Sequence, residues 1–235
     1  MGDARLRITW FGHSTFVVRT PGGKRVLFDP WLADNPACPE SLKKPPATDL
    51  VLVSHGHADH MSDVIAVARD SGAPVVGIFE LCDWLGRKGL TNLLPMNKGG
   101  SLEVLGLRIT MTDARHSSGY VDEGRMTYMG EAAGYVMRLE DGMTLYYAGD
   151  TSLFGDMRLI GEMYTPDVAF LPIGDRFTMD PAAAAKACEL LGVRQVIPMH
   201  WGTFPILTGT SHELRRLVEP KGVQVLDLKP GETTE

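Results

Sequence analysis

Within the run V-L-V-S-H-G-H-A-D-H from Val51 to His60, three histidines and one aspartate (His55, His57, Asp59 and His60) fall in six positions. Imidazole together with carboxylate is a donor set for zinc, manganese, iron or nickel. In an extended turn His55 and His57 point the same way and serve one ion, while Asp59 and His60 fall across the bend and face a second. This density separates the run from a lone histidine, which is ordinarily a hydrogen-bonded core or surface residue. Further along, His116, Asp150 and His200 each stand directly after a predicted strand, as His55 does. Three imidazoles, His55, His57 and His116, can hold one metal with a position left open for water. Asp59, His60 and His200 can hold the other, and Asp150 is then free to bridge. Two ions roughly 3.5–4 Å apart activate a shared water and clamp a developing anion.

Such side chains converge only if several strand ends meet at one edge. Residues 50–53 are a continuous apolar run and 61–69 read as a helix with Val64, Ile65 and Ala68 on one face. The ligand run is therefore a strand–turn–helix corner at a strand's C-terminal end, where open sheets bind ligands. Residues 5–10, 15–19 and 25–28 read as a β-meander, with turn signals at Gly12-His13-Ser14 and Pro21-Gly22-Gly23. The stretch 31–48 carries Pro36, Pro39, Pro45 and Pro46 and reads as a long irregular loop, a kind that is often functional. Strands are predicted at 74–79, 102–111, 134–139, 143–147, 168–172, 195–199 and 223–228. The pair 134–139 and 143–147 forms a hairpin across Glu140-Asp141-Gly142. Helices are predicted at 80–88, 153–162 and 181–191, the last with Asp180 as N-cap and Pro181 in its first turn, and again from Ser211. Residues 119–131 are polar and glycine-containing, and their Met126, Tyr128 and Met129 serve either as a lid or as packing. Strands come in two groups, with helices following the second part of each. The expected fold class is α/β (α+β), two packed sheets flanked by helices, in one domain over residues 1–235.

The composition of the 235 residues, 44% hydrophobic and 22% charged, is that of an ordinary globular protein with a sizeable core. A net charge of −6 and a pI near 5.6 leave no basic field for nucleic acid. No apolar run is long enough to span a bilayer, and the first residues carry neither a signal peptide's apolar segment nor a myristoylation pattern. Three scattered cysteines, Cys38, Cys82 and Cys188, suit free thiols in a reducing compartment, so a cytoplasmic location is expected.

H-x-H-x-D-H, a later histidine, Gly149-Asp150-Thr151 and a final histidine, in that order over nearly the whole chain, resemble the metallo-β-lactamase superfamily. The resemblance implies an αββα four-layer sandwich with the metals at one edge of the sheets. Trp10-Phe11-Gly12-His13-Ser14, Asp29-Pro30-Trp31, Asn35-Pro36, Pro172-Ile173-Gly174-Asp175, Phe177-Thr178-Met179, and His200 with Thr203-Phe204-Pro205 resemble a narrower branch. That branch comprises small bacterial metal-dependent hydrolases related to ascorbate-phosphate lactonases and N-acyl-phosphatidylethanolamine phospholipase D. Three positions depart from its pattern: Arg176 stands where asparagine is common, Trp201-Gly202 where Tyr-Asn is common, and Arg115 where an apolar residue precedes the histidine.

By the same resemblance Asp59 touches metal and either orients the nucleophilic water or acts as its general base. Asp29 is either a partner of a ligand imidazole or a simple Asp-Pro turn. His13, in a strand-to-strand turn, is expected as an acid or substrate contact, with a structural hydrogen bond as the other reading. His212 opens a helix and is left out of the site. The leading function is a hydrolase using a hydroxide held by two divalent ions, zinc expected and manganese, nickel or iron as alternatives. Its bond would be ester-type, a phosphodiester or lactone of a small molecule, anionic if Arg176 or Arg115 reaches the site. A mononuclear iron persulfide dioxygenase and a non-catalytic metal-dependent binding protein are the competing classes. No nucleic-acid or membrane partner is expected, and homo-oligomers are left open.

Overall fold

Strands buried on both faces read as unbroken apolar runs, and four such runs build the centre of this molecule. The computed structural model describes residues 5–44 and 46–234. Leu50–Leu52 (β4) and Val75–Ile78 (β5) are buried throughout and pair in parallel. They sit in a six-stranded sheet completed by Arg7–Gly12 (β1), Thr15–Arg19 (β2), Arg25–Phe28 (β3) and Leu93–Met96 (β6), in the order β1-β2-β3-β4-β5-β6. The second sheet has seven strands: Ser101–Val104 (β7), Leu107–Asp113 (β8), Ala133–Arg138 (β11), Thr144–Tyr147 (β12), Val168–Pro172 (β13), Gln195–Met199 (β14) and Gln224–Val225 (β15). Its order is β15-β14-β13-β12-β11-β8-β7. Gly119–Asp122 (β9) and Arg125–Tyr128 (β10) form a separate hairpin.

Helices cover the outer faces, giving the αββα layering. Val64–Ser71 (α2) and Phe79–Arg87 (α3), preceded by the single turn Ala58–Met61 (α1), accompany the first sheet. Met157–Tyr164 (α4), Pro181–Leu191 (α5) and Ser211–Val218 (α6) accompany the second. The last begins with a capping box, Thr210 and Glu213 each bonding the other's backbone. Between the sheets aromatic rings interlock: Phe16 stands edge-on to Phe170 at 5.0 Å, and Phe28 lies 4.6 Å from Tyr147. Two buried tyrosines stitch the layers with their hydroxyls, Tyr135 donating to the Val53 carbonyl at 2.7 Å and Tyr147 sharing its one proton between the Ser14 carbonyl at 2.8 Å and Asp29 Oδ2 at 2.7 Å.

Strand direction places the site. β1, β3, β4 and β5 run the same way in one sheet, as do β8, β12, β13 and β14 in the other. The turns after β1, β3, β4, β8, β12 and β14 therefore meet at one edge, where the His200 N–H donates to the His13 carbonyl at 3.0 Å across the two sheets.

Several predicted elements differ. The single strand expected at 102–111 is two, β7 and β8, reversed at Leu105 (φ 55°) and Gly106 (φ 84°). A leucine in the left-handed region gives no turn signal in sequence. The helix expected at 61–69 is broken between α1 and α2, where Asp63 accepts the Leu32 N–H at 2.6 Å and the Ala33 N–H at 3.2 Å. β6 was not foreseen because Pro95 argues against a strand; an edge position accommodates it. The helix expected at 153–162 starts at Met157, and the closing strand at 223–228 shrinks to Gln224–Val225.

Candidate metal centre

The turn after β4 carries His55 and His57 with only Gly56 between them. A Cβ at Gly56 would lie 2.3 Å from Met129 Cβ, so the spacer must be glycine for the two imidazoles to fit under the 129–132 segment. α1 then turns Asp59 and His60 back toward the same space. From the second sheet come His116 after β8, Asp150 after β12 and His200 after β14. All seven side chains expected from sequence converge, and Asp150 stands at their centre. Its Oδ2 lies 3.0 Å from His200 Nε2, 3.3 Å from His60 Nε2, 3.6 Å from His116 Nε2 and 4.0 Å from His55 Nε2. Ligand atoms of His55, His57 and His116 lie within 4.8 Å of one another, and so do those of His13, Asp59, His60 and His200. His55, His60, Asp150 and His200 are buried, whereas His57, Asp59 and His116 are half-buried and form the open side.

A buried carboxylate below this cluster orients it. Asp29, in the left-handed region (φ 42°), accepts from His60 Nδ1 at 2.7 Å, Ser54 Oγ at 2.6 Å, the Ser54 N–H at 2.7 Å and the Tyr147 hydroxyl at 2.7 Å. Because the Ser54 hydroxyl donates to Asp29, its oxygen accepts from His55 Nδ1 at 2.9 Å. Both rings are thereby fixed with Nε2 aimed at Asp150. Asp29 also forms a third group with His55 and His60, but its four donors engage it as an orienting acceptor.

Charge in the cluster is set by burial and proximity. Burial drives His55, His57 and His116 below the usual imidazole range, and His13 down to about 4, with the His200 ring adding to the last. Burial opposes the charged forms of Asp59, Asp150 and His60 too. In Asp59 and Asp150 the neighbouring imidazoles outweigh it and hold both carboxyls well below their ordinary range. The Asp150 and Asp59 charges hold His60 well above 6.5.

The donor set fits a metal. His60 Nε2 and Asp150 Oδ1 are buried without a hydrogen-bond partner among the described residues, although each faces groups of the cluster. Such groups cost about 1–3 kcal/mol each if left unpaired. His55, His57 and His116, kept neutral beside ionised carboxylates, are in the protonation state that divalent ions require, and His60 has a proton to give up on binding.

Residues 24–201 match the family model described as "Beta-lactamase superfamily domain". This chain belongs to the metallo-β-lactamase superfamily. A metal-dependent hydrolase of the UPF0173 group from Rubrobacter xylanophilus is 51% identical over 229 residues, covering 96% of this chain and 95% of that protein. A UPF0173 metal-dependent hydrolase from Methanopyrus kandleri is 47% identical over 234 residues, covering 98% and 100%. Among solved structures, Igni18, a metallo hydrolase from the archaeon Ignicoccus hospitalis, is 36% identical with a TM-score of 0.87, covering 97% of each chain.

In this superfamily member His13 lies fully buried against the cluster, its Nε2 3.2 Å from Asp59 Oδ2 and its Nδ1 2.9 Å from Thr203 Oγ1. Trp31 and Phe204 wall it in, at 5.2 and 5.9 Å between ring centres. Ser54, Tyr147 and Thr203 were not anticipated. Ser54 directly precedes the ligand run, which was a usable signal; Tyr147 reads as an ordinary strand residue. Arg115 is exposed, over the Phe154 ring at 5.6 Å and 3.9 Å from Asp113. Arg176 is exposed over Phe177 at 5.7 Å, in the turn after β13 and so between the turns bearing Asp150 and His200. Met129 is buried as packing under Gly56, whereas Met126 and Tyr128 are exposed on the β9–β10 hairpin. The hairpin is tied to α3 by a 2.9 Å bond from Trp84 Nε1 to Asp122. Among the described residues no helix is long and apolar enough to cross a membrane.

Proposed function

We propose that this metal-dependent hydrolase of the metallo-β-lactamase superfamily holds two divalent ions and cleaves an ester-type bond, a phosphodiester or lactone, in a small molecule. His55, His57 and His116 would hold one ion and Asp59, His60 and His200 the other, with Asp150 within reach of both groups. The observation that carries this reading is Asp150 Oδ2, within 3.0–4.0 Å of four imidazole nitrogens contributed by both sheets. A carboxylate so placed bridges two positive centres better than it serves one. When bound, such ions bring the pKa of water to about 7 and stabilise charge developing on the group under attack.

The side chains divide the remaining work. Asp59 is the acidic residue of the open side, kept ionised by its imidazole neighbours, and it orients the attacking water or takes its proton. His57 and His116 flank the mouth through which substrate arrives, with Trp31 and Phe204 behind His13 as an apolar wall. Arg176 extends from the turn between the Asp150 and His200 turns, a placement that suits a substrate with a phosphate or carboxylate. The net charge of −6 favours a small molecule over nucleic acid, and three buried free cysteines favour the cytoplasm.

Metal analysis after reconstitution, then assays on phosphodiesters, lactones and thioesters, tests the reading. Two equivalents of metal are expected per chain, with Asp59→Asn losing about 10²–10⁴-fold in kcat at full loading. A maximum of one equivalent with full activity would refute the two-ion reading. One iron with oxygen consumption on persulfides would replace it with the redox alternative.

A further inference from the structure

Three buried imidazoles at this edge share one arrangement. His55 and His60 give Nδ1 to an oxygen, Ser54 Oγ at 2.9 Å and Asp29 Oδ2 at 2.7 Å, and turn Nε2 into the cluster. His13 is built in the same way, with Nδ1 2.9 Å from Thr203 Oγ1 and Nε2 3.2 Å from Asp59 Oδ2. A metal-ligating imidazole almost always donates its other ring N–H to such an oxygen, which fixes its tautomer. The Thr203 hydroxyl has an acceptor of its own in the Trp201 carbonyl, at 3.4 Å, so its oxygen is available to the Nδ1–H of His13. In the tautomer with its proton on Nδ1, His13 Nε2 turns a lone pair toward the Asp59 carboxylate, an arrangement that a cation shared by the two makes attractive. One donor atom each from His13, Asp59, His60 and His200 lies within 4.8 Å of the other three. The backbone holds the ring there: His13 sits at φ 56°, its carbonyl takes the His200 N–H at 3.0 Å, and the two rings are 4.0 Å apart.

We propose that His13 is a protein ligand of the ion held by Asp59, His60 and His200, in place of the acid or substrate role its sequence position suggested. This assignment rests on the two-ion reading above. It makes the two positions unequal. His55, His57 and His116 with Asp150 are four donors, the number tetrahedral zinc takes. His13, Asp59, His60 and His200 with Asp150 are five, which suits a six-coordinate ion such as manganese or iron(II) with one place left for water or substrate. The two positions thus offer unequal numbers of protein donors.

Cobalt(II)-loaded protein provides the test. His13→Asn is the variant of choice because asparagine tolerates the left-handed region. The wild type should bind two equivalents, the second with the weak visible bands of a six-coordinate ion. His13→Asn should keep the first equivalent and lose roughly tenfold or more in affinity for the second, with stronger bands as its coordination number falls. Thr203→Val, which removes the Nδ1 acceptor and the long bond to the Trp201 carbonyl while leaving His13 in place, should weaken the second equivalent by about 10–100-fold. Should His13→Asn fail to fold, Thr203→Val and the wild-type proton spectrum decide: the His13 ring N–H, identified by its contact with the Thr203 methyl, is paramagnetically shifted if the ring is bound. A second equivalent of unchanged affinity and colour in the variants, or an unshifted His13 N–H, overturns the assignment and leaves the two-ion site standing. A wild type that takes a single ion overturns both.

Discussion

Asp29→Asn isolates what the buried carboxylate contributes, because asparagine keeps the shape and accepts the left-handed backbone at φ 42°. Oδ2 takes three donors (Ser54 Oγ, His60 Nδ1 and the Tyr147 hydroxyl), and Oδ1 takes the Ser54 N–H. With its oxygen at the Oδ2 position, asparagine sets its amide N–H₂ against the Ser54 N–H. With the amide reversed, the N–H₂ meets three donors instead. One donor–donor conflict is the least it can have, and the remaining bonds lose their charge. A bond to a charged group contributes about 1.5–3 kcal/mol and a stranded buried donor costs about 1–3 kcal/mol. A loss of about 3 kcal/mol is expected for the metal-free protein, which at this chain length lowers Tm by about 6–12 °C. Metal affinity should fall as well, by about 10–100-fold, and in both ion positions, since Asp29 reaches His60 directly and His55 through Ser54. Thermal unfolding of the stripped protein and competition with a chelator read the two effects separately. If Asp29→Asn kept both its Tm and its affinities, the hydrogen-bond assignment around Asp29 would be wrong.

Other outcomes follow from the same geometry. The Asp150 and Asp59 charges raise His60 above the ordinary imidazole value in the metal-free chain, so metal binding should expel a proton and tighten as pH rises; calorimetry in buffers of different ionisation enthalpy measures the release. The sign for stability is opposite: the His60 proton stabilises the metal-free fold below about 6.5 and that contribution fades as pH rises through the folded value, which pH-dependent unfolding detects. Gly174→Ala places a Cβ 2.1 Å from the His200 carbonyl oxygen, and a loss of about 1–3 kcal/mol with reduced metal content is expected; unfolding and elemental analysis that match the wild type would contradict it. Arg176→Asn should raise KM for anionic substrates and spare neutral esters and lactones, and an equal effect on both would remove Arg176 from substrate recognition.

The chemistry was easier to read from sequence than its supports. His55, His57, Asp59 and His60 announce themselves by density, and His116, Asp150 and His200 by following apolar strands, because a strand's end fixes where the next residue points. The supports depend on pairings remote in sequence: Tyr147 reaches Ser14 and Asp29 across the sheet interface, and Thr203 reaches His13 over nearly the whole chain. Nothing local to Tyr147 distinguishes it from Tyr146 beside it. Asp29 left two readings open in sequence since an Asp-Pro turn and an orienting carboxylate look alike until His60 is placed. The division of 102–111 at Leu105-Gly106 was hidden for a related reason, the left-handed leucine being imposed by the tight hairpin in which Val104 of β7 pairs with Leu107 of β8 rather than by its own preference. Arg115 had a surface reading and a site reading in sequence, and it lies on the surface against Phe154 and near Asp113.

The cluster draws His55, His57, Asp59 and His60 from one sheet and His116, Asp150 and His200 from the other. Any ion held there is a removable cross-link between the two halves of the sandwich, closing chain loops of up to about 145 residues between His55 and His200. Unlike a covalent cross-link, it is lost on unfolding, so it acts by stabilising the folded form that binds it and by slowing the rate of coming apart. The halves cannot separate until the ions leave, so resistance to proteases should follow the metal supply: at a free metal concentration 100 times the dissociation constant, one ion adds about 2.7 kcal/mol. Scarcity of metal would then do more than silence the enzyme; it would mark the chain for turnover.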